Sequence, residues 1–138
     1  MELDTVHHSG GVYKGSCILS LGAPEIETAW NELRALRNKA MEWIKRALED
    51  IKKTVPYGIH TIHPDNGTEV LNRVVEEFTE KYHIRYVRSR PYHKNDNPVV
   101  ESRNFTLIRS YVGYRRYDTD AKFRILEKLL PLILQLHN

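Results

Sequence analysis

Gly58-Ile59-His60-Thr61-Ile62-His63-Pro64-Asp65-Asn66-Gly67-Thr68-Glu69-Val70-Leu71 is the stretch in which the pattern changes period. Residues 58–63 suit a short strand, and Asp65-Asn66-Gly67 a turn at its C-terminal end. From Thr68 to Tyr82 the apolar residues Leu71, Val74, Val75 and Phe78 return at helical spacing. A strand that passes through a tight acidic turn into a helix is the unit of an α/β fold. It also puts Asp65 at the C-terminal end of a strand, where open α/β sheets build their sites.

On the N-terminal side, residues 2–8 read as a strand, Gly10-Gly11 as a turn, and Val12 to Leu21 as a second strand antiparallel to the first. Gly22-Ala23-Pro24 is expected to break the chain. Glu27 to Leu36 reads as a third strand, although its Leu-Arg-Ala content also suits a helix. Between Asn38 and Lys53 the residues Ala40, Met41, Ile44, Ala47, Leu48 and Ile51 mark a helix, which Pro56 ends. On the C-terminal side, Ile84 to Val87 reads as a last short strand and Ser89 to Asn95 as a loop. Asn97 is placed to cap a helix that has Pro98 at its first position. Ala121 to Leu136 reads as a final helix bent at Pro131. The expectation is an α/β domain over residues 1–138, with a mixed five-stranded sheet flanked by helices.

With 138 residues, 28% charged and 41% hydrophobic, the chain is long enough to bury a core without cross-links. Cys17 is the single cysteine, so no internal disulfide is available and a reducing, cytoplasmic setting is expected. The longest apolar run, Leu129 to Leu134, is too short to span a bilayer and contains Pro131. No signal-peptide pattern is seen at the N-terminus. The formal charge of +3 is unevenly spread: Lys81 to Arg116 holds nine basic residues against Asp96 and Glu101. Such a concentration suits contact with a polyanion, although a solvated basic face is the commoner cause of one.

Three acids then stand out: Asp4 in the first strand, Asp65 in the turn, and Glu101 in Val100-Glu101-Ser102-Arg103-Asn104. Glu101, Phe105, Ile108 and Val112 share one helical face, so Glu101 heads a stripe that is otherwise apolar and should pack on the sheet. Taken singly, each acid has a plain structural reading: an exposed strand residue, a turn former, a carboxylate favoured by the helix dipole. Brought together they would repel, unless a pair of Mg²⁺ or Mn²⁺ ions about 4 Å apart were held between them. Two such ions are the apparatus for cutting and joining phosphodiesters, with Asp4 as the natural bridge.

These residues resemble the integrase catalytic core of DDE transposases, kin of retroviral integrase with a ribonuclease-H-like fold. Leu3-Asp4-Thr5-Val6-His7 is similar to the first-acid block, Ile62 to Glu69 to the second, and Val99 to Asn104 to the third. Arg88 to Asn97 and Val112 to Thr119 are similar to stretches of bacterial insertion-sequence transposases. The resemblance implies that Asp4, Asp65 and Glu101 are the catalytic metal ligands, and that Ser89 to Asn97 is the loop that embraces a DNA end. The implied DNA contacts are Arg88, Arg90, Tyr92, His93, Lys94, Arg103 and Arg109, with Tyr92 as the stacking residue. It further implies a homodimer paired through helices, DNA ends and target as partners, no membrane, and a bacterial, nucleoid-associated setting. The flanking DNA-binding domains are expected to be absent.

Some residues depart from that pattern: Glu27-Thr28-Ala29-Trp30, Val70, and Ser102 after the third acid. Two rivals therefore stand beside a DNA strand transferase: a ribonuclease-H-like nuclease that only hydrolyses, and a catalytically silent core for DNA binding or dimerisation. Seven histidines without a second cysteine do not make a structural zinc site. Cys17, beside Ile18 and Leu19, reads as a buried, inert thiol.

Overall fold

Alternation in the first three strands and helical periodicity on either side of the fourth build a mixed five-stranded sheet. The computed structural model describes residues 1–11, 17–64, 69–87 and 104–138, with side chains from 106 onward in the last segment. The order is β1 Glu2–His7, β2 Leu19–Pro24, β3 Asn31–Leu36, α1 Met41–Thr54, β4 Thr61–Pro64, α2 Glu69–Tyr82 and β5 Arg85–Tyr86. A π-helical turn, Asn104–Arg109, leads into α3, Ser110–Val112, and α4 is Asp120–His137. In space the strands run β3-β2-β1-β4-β5. β1–β2 and β2–β3 are antiparallel, while β1–β4 and β4–β5 are parallel. This is the α/β architecture expected of a ribonuclease-H-like fold.

Each face of the sheet has its own core. Met1, Leu3, Leu19, Leu21, Ala23 and Ile62 point to the side covered by α1 and α2, where they meet Ile44, Leu48, Ile51, Leu71, Val74, Val75 and Phe78. Val6, Ile18 and Leu33 belong to the other side, under Leu107, Ile108, Val112, Phe123, Leu126, Leu130 and Ile133. Strand alternation makes the split: successive residues of β1 face opposite ways.

Four expectations need correction. Gly22-Ala23-Pro24 does not break the chain but completes β2. Ala23 is fully buried and Pro24 is in register with Asn31, so ladders on both flanks hold this segment extended. The turn comes later, where Glu25 N bonds Trp30 O at 2.7 Å and the Glu25 carboxylate accepts from Thr28 N and Oγ1. The third strand accordingly starts at Asn31 rather than Glu27. Residues 104–109 form a π-helical turn where an α-helix was expected, and this wider turn brings Leu107 as well as Ile108 into the core. β2 also starts at Leu19 rather than Val12, with residues 12–16 outside the described ones, while β1, α1, β4, α2, β5 and α4 fall within a few residues of their expected limits. α4 continues through Pro131 to His137.

One long-range tie closes the sheet beyond β1. His8 N bonds Ile18 O, Ile18 N bonds Tyr117 O, and Tyr117 N bonds His8 O, at 2.8–3.0 Å. The segment after α3 is thereby sewn into the mouth of the β1–β2 hairpin. Gly10, at φ +63°, lies beneath it; a Cβ there would sit 2.9 Å from that of Arg116. The approach admits no side chain.

Candidate active site

Asp4 lies midway along β1, half-buried. Its carboxylate Oδ1 accepts the Thr5 backbone N–H at 2.7 Å. Opposite it in the antiparallel register is Gly22, which presents no side chain on that face. By alternation Asp4 shares the face of Val6, the face packed under Leu107, Ile108 and Val112. On its other flank, Leu3 is in parallel register with Pro64, and Glu2 with His63. The first two acid positions thus follow directly on a pair of registered residues in neighbouring strands. The expectations for Asp65, Glu101, Arg88, Arg90, Tyr92, His93, Lys94 and Arg103 fall outside the described residues. Among the described residues, no group of three or more His, Cys, Asp or Glu is arranged to hold a metal ion.

Arg109 is described, and its guanidinium is tied to backbone. Nη2 donates to His7 O at 3.1 Å and Nη1 to Gly113 O at 3.3 Å. The group also lies 4.8 Å from the ring centroid of Tyr114. These contacts bind the helical turn that follows the third acid position to the end of the strand that carries the first.

One feature of this face, Glu2, escaped the reading of the sequence, whereas His8 reads there either as a border of the site or, more ordinarily, as a strand residue. Glu2 is only 3% exposed, two residues before Asp4 and so on the same face, level with His63. Strand alternation from Asp4 was the signal that would have found it. His8 is fully buried: its Nε2 is 2.7 Å from Ser20 Oγ and its ring meets Tyr117 edge-on at 5.3 Å, while Nδ1 has no partner among the described residues. Burial, helped by the nearby charges of Arg109 and His7, pushes its pKa down to about 4, so the imidazole is neutral at physiological pH. His7 is shifted the same way, by burial first and then by Lys39 and Arg109.

No family model matches the chain. It is similar to the transposase for insertion sequence element IS4351 of Bacteroides fragilis, with 34% identity over 113 residues, 81% of this chain and 32% of that protein. It is also similar to the uncharacterized protein y4rM of Sinorhizobium fredii, with 30% identity over 116 residues, 84% of this chain and 33% of that protein. The chain spans about a third of the length of the curated relatives it matches. It is a distant, partial relative of a transposase, and no described helix is long and apolar enough to cross a membrane.

Proposed function

We propose that the chain is the catalytic core of a DNA transposase or integrase, cutting and joining DNA 3′ ends with Asp4, Asp65 and Glu101 as ligands of two Mg²⁺ or Mn²⁺ ions. The observation that carries the reading is the register of Leu3 with Pro64, together with the packing of the Leu107–Val112 segment on the face that Asp4 shares. In sequence, Asp65 follows Pro64 directly, and Glu101 precedes the Asn104–Arg109 turn by three residues. The partial likeness to an insertion-sequence transposase points the same way.

Hard divalent cations select carboxylate oxygens, and Asp4 supplies such a group on a sheet face where its neighbour Gly22 leaves room. When bound, the ions would supply activation of a water or 3′-hydroxyl and charge stabilisation at the departing oxygen. The protein's own part is to hold Asp4 through the Thr5 N–H and its strand, and to anchor the segment that follows Glu101 in sequence through Arg109 and the His7 carbonyl. Ile125, Leu132 and Leu136 form an exposed apolar stripe on α4, suited to helix-mediated pairing of two copies.

The test is cleavage and joining of a labelled DNA duplex in Mn²⁺ by the parent, Asp4→Asn and Glu101→Gln, with melting followed as metal is added. Joined products from the parent, and at least a thousandfold less from both variants, are expected, with a metal-dependent rise in melting temperature that Asp4→Asn abolishes. Cleavage without joining would replace the reading with a hydrolytic nuclease. Metal binding without turnover would leave a silent core, and no metal response at all would remove the three-acid site.

A further inference from the structure

The Val112–Thr119 stretch contains a second surface, at the C-terminal edge of β1. Gly113, at φ 79° and ψ −159°, ends α3 and turns the chain outward. Tyr114 follows, 66% exposed in spite of its large ring. The ring is not left loose, because the Arg109 guanidinium packs against it and is itself tied to the carbonyls of His7 and Gly113. An aromatic ring that is both exposed and fixed from beneath loses little entropy when a second flat group stacks on it.

The charges around it are sorted. Arg37 is paired with Asp120, and Arg116 and Lys122 with Asp118. Lys39, Arg109 and Arg115 make no ion pair among the described residues. Arg109 is bonded to His7 O, and His7 is level with Leu19 and through it with Leu36, so Lys39 follows three residues on at the same end of the sheet; Arg115 is exposed next to Tyr114 in the chain. A fixed aromatic platform flanked by cations with no ion pair among the described residues has the makings of a site for a single nucleic-acid strand.

We infer that Tyr114 stacks an unpaired base of a DNA strand whose phosphates run past Arg115, Arg109 and Lys39. The inference rests on the function proposed above and deepens it. His7, to which the platform is tied, lies three residues beyond Asp4, so the contact falls a few nucleotides from the scissile bond. The substrate preferred by this edge is therefore a DNA end with a short single-stranded overhang, rather than a blunt duplex.

The test measures binding of fluorescent DNA by anisotropy, with EDTA present so that chemistry plays no part. The probes are a blunt duplex and the same duplex with a five-thymine overhang. The parent should prefer the overhang; Tyr114→Ala should weaken overhang binding about tenfold while leaving the blunt duplex and the melting temperature unchanged; Tyr114→Phe should retain the preference. Arg115→Ala should weaken both probes and flatten the salt dependence by about one unit of slope. Equal weakening of both probes by Tyr114→Ala, unchanged overhang binding, or a parent that binds neither probe would overturn the inference. A changed sedimentation coefficient in place of changed DNA affinity would reassign the ring to a protein contact. The metal-dependent melting shift and its loss in Asp4→Asn report on the three-acid site separately, so failure here is distinguishable from failure there.

Discussion

The two faces of the sheet differ in what they bury. Under α1 and α2 the core is a largely apolar layer, and a buried carboxylate there, Glu32, is bonded by Trp30, Arg34 and Thr54. Under the Leu107–Val112 segment and α4, apolar residues share the face with Glu2, Asp4, His8 and Ser20, and the covering segment begins with a π-helical turn. On the first face the buried acid is bonded by its own neighbours within the core. The other gives up part of its apolar area to hold polar groups in fixed places, as a site requires.

Paired core truncations test this division most strongly. Leu48→Ala and Leu126→Ala should each cost about 2–5 kcal/mol in urea denaturation, since both side chains are essentially buried. Only Leu126→Ala should also weaken the Mn²⁺-dependent rise in melting temperature. An equal loss in both variants would erase the distinction between the faces.

A smaller effect concerns His8. Its folded pKa of about 4 lies below the ordinary value of 6.5, so the unfolded chain takes up this proton first as pH falls. Its contribution is complete above about pH 6.5 and is lost toward pH 4, by about 3 kcal/mol. Denaturation at stepped pH should show this slope in the parent and not in His8→Gln. The smallest effect is at the start of α4, where Thr119 Oγ1 accepts the Lys122 N–H at 3.2 Å. Thr119→Ala should cost about 1 kcal/mol and leave the metal response untouched.

What the sequence disclosed follows from the range of the interactions involved. The strand read at residues 2–8 and the helices over Met41–Thr54 and Glu69–Tyr82 announce themselves in local periodicity and are present, while the antiparallel partner read at Val12 to Leu21 is found at Leu19–Pro24. Gly22-Ala23-Pro24 misled because its composition suits a turn, whereas two flanking strands decide its conformation. The π-helical turn was hidden because Ile108 and Val112 also fit α-helical spacing. Asp4 could be assigned to β1 from pattern alone. The ties of Arg109 to His7 O and of Tyr117 to His8 O join residues about a hundred positions apart, and no local pattern encodes them.

The Tyr117 tie has a kinetic side. β1, β2 and β3 can zip together from short connections, whereas the bonds between residues 8 and 117 close nearly the whole chain into a ring. The length-dependent entropy of closing such a ring is on the order of 4 kcal/mol. Contacts of that separation are rewarded only once the intervening elements have condensed. The end of β1 to which the Asn104–Val112 segment is tied is thus assembled late, by a chain that has already committed to its sheet.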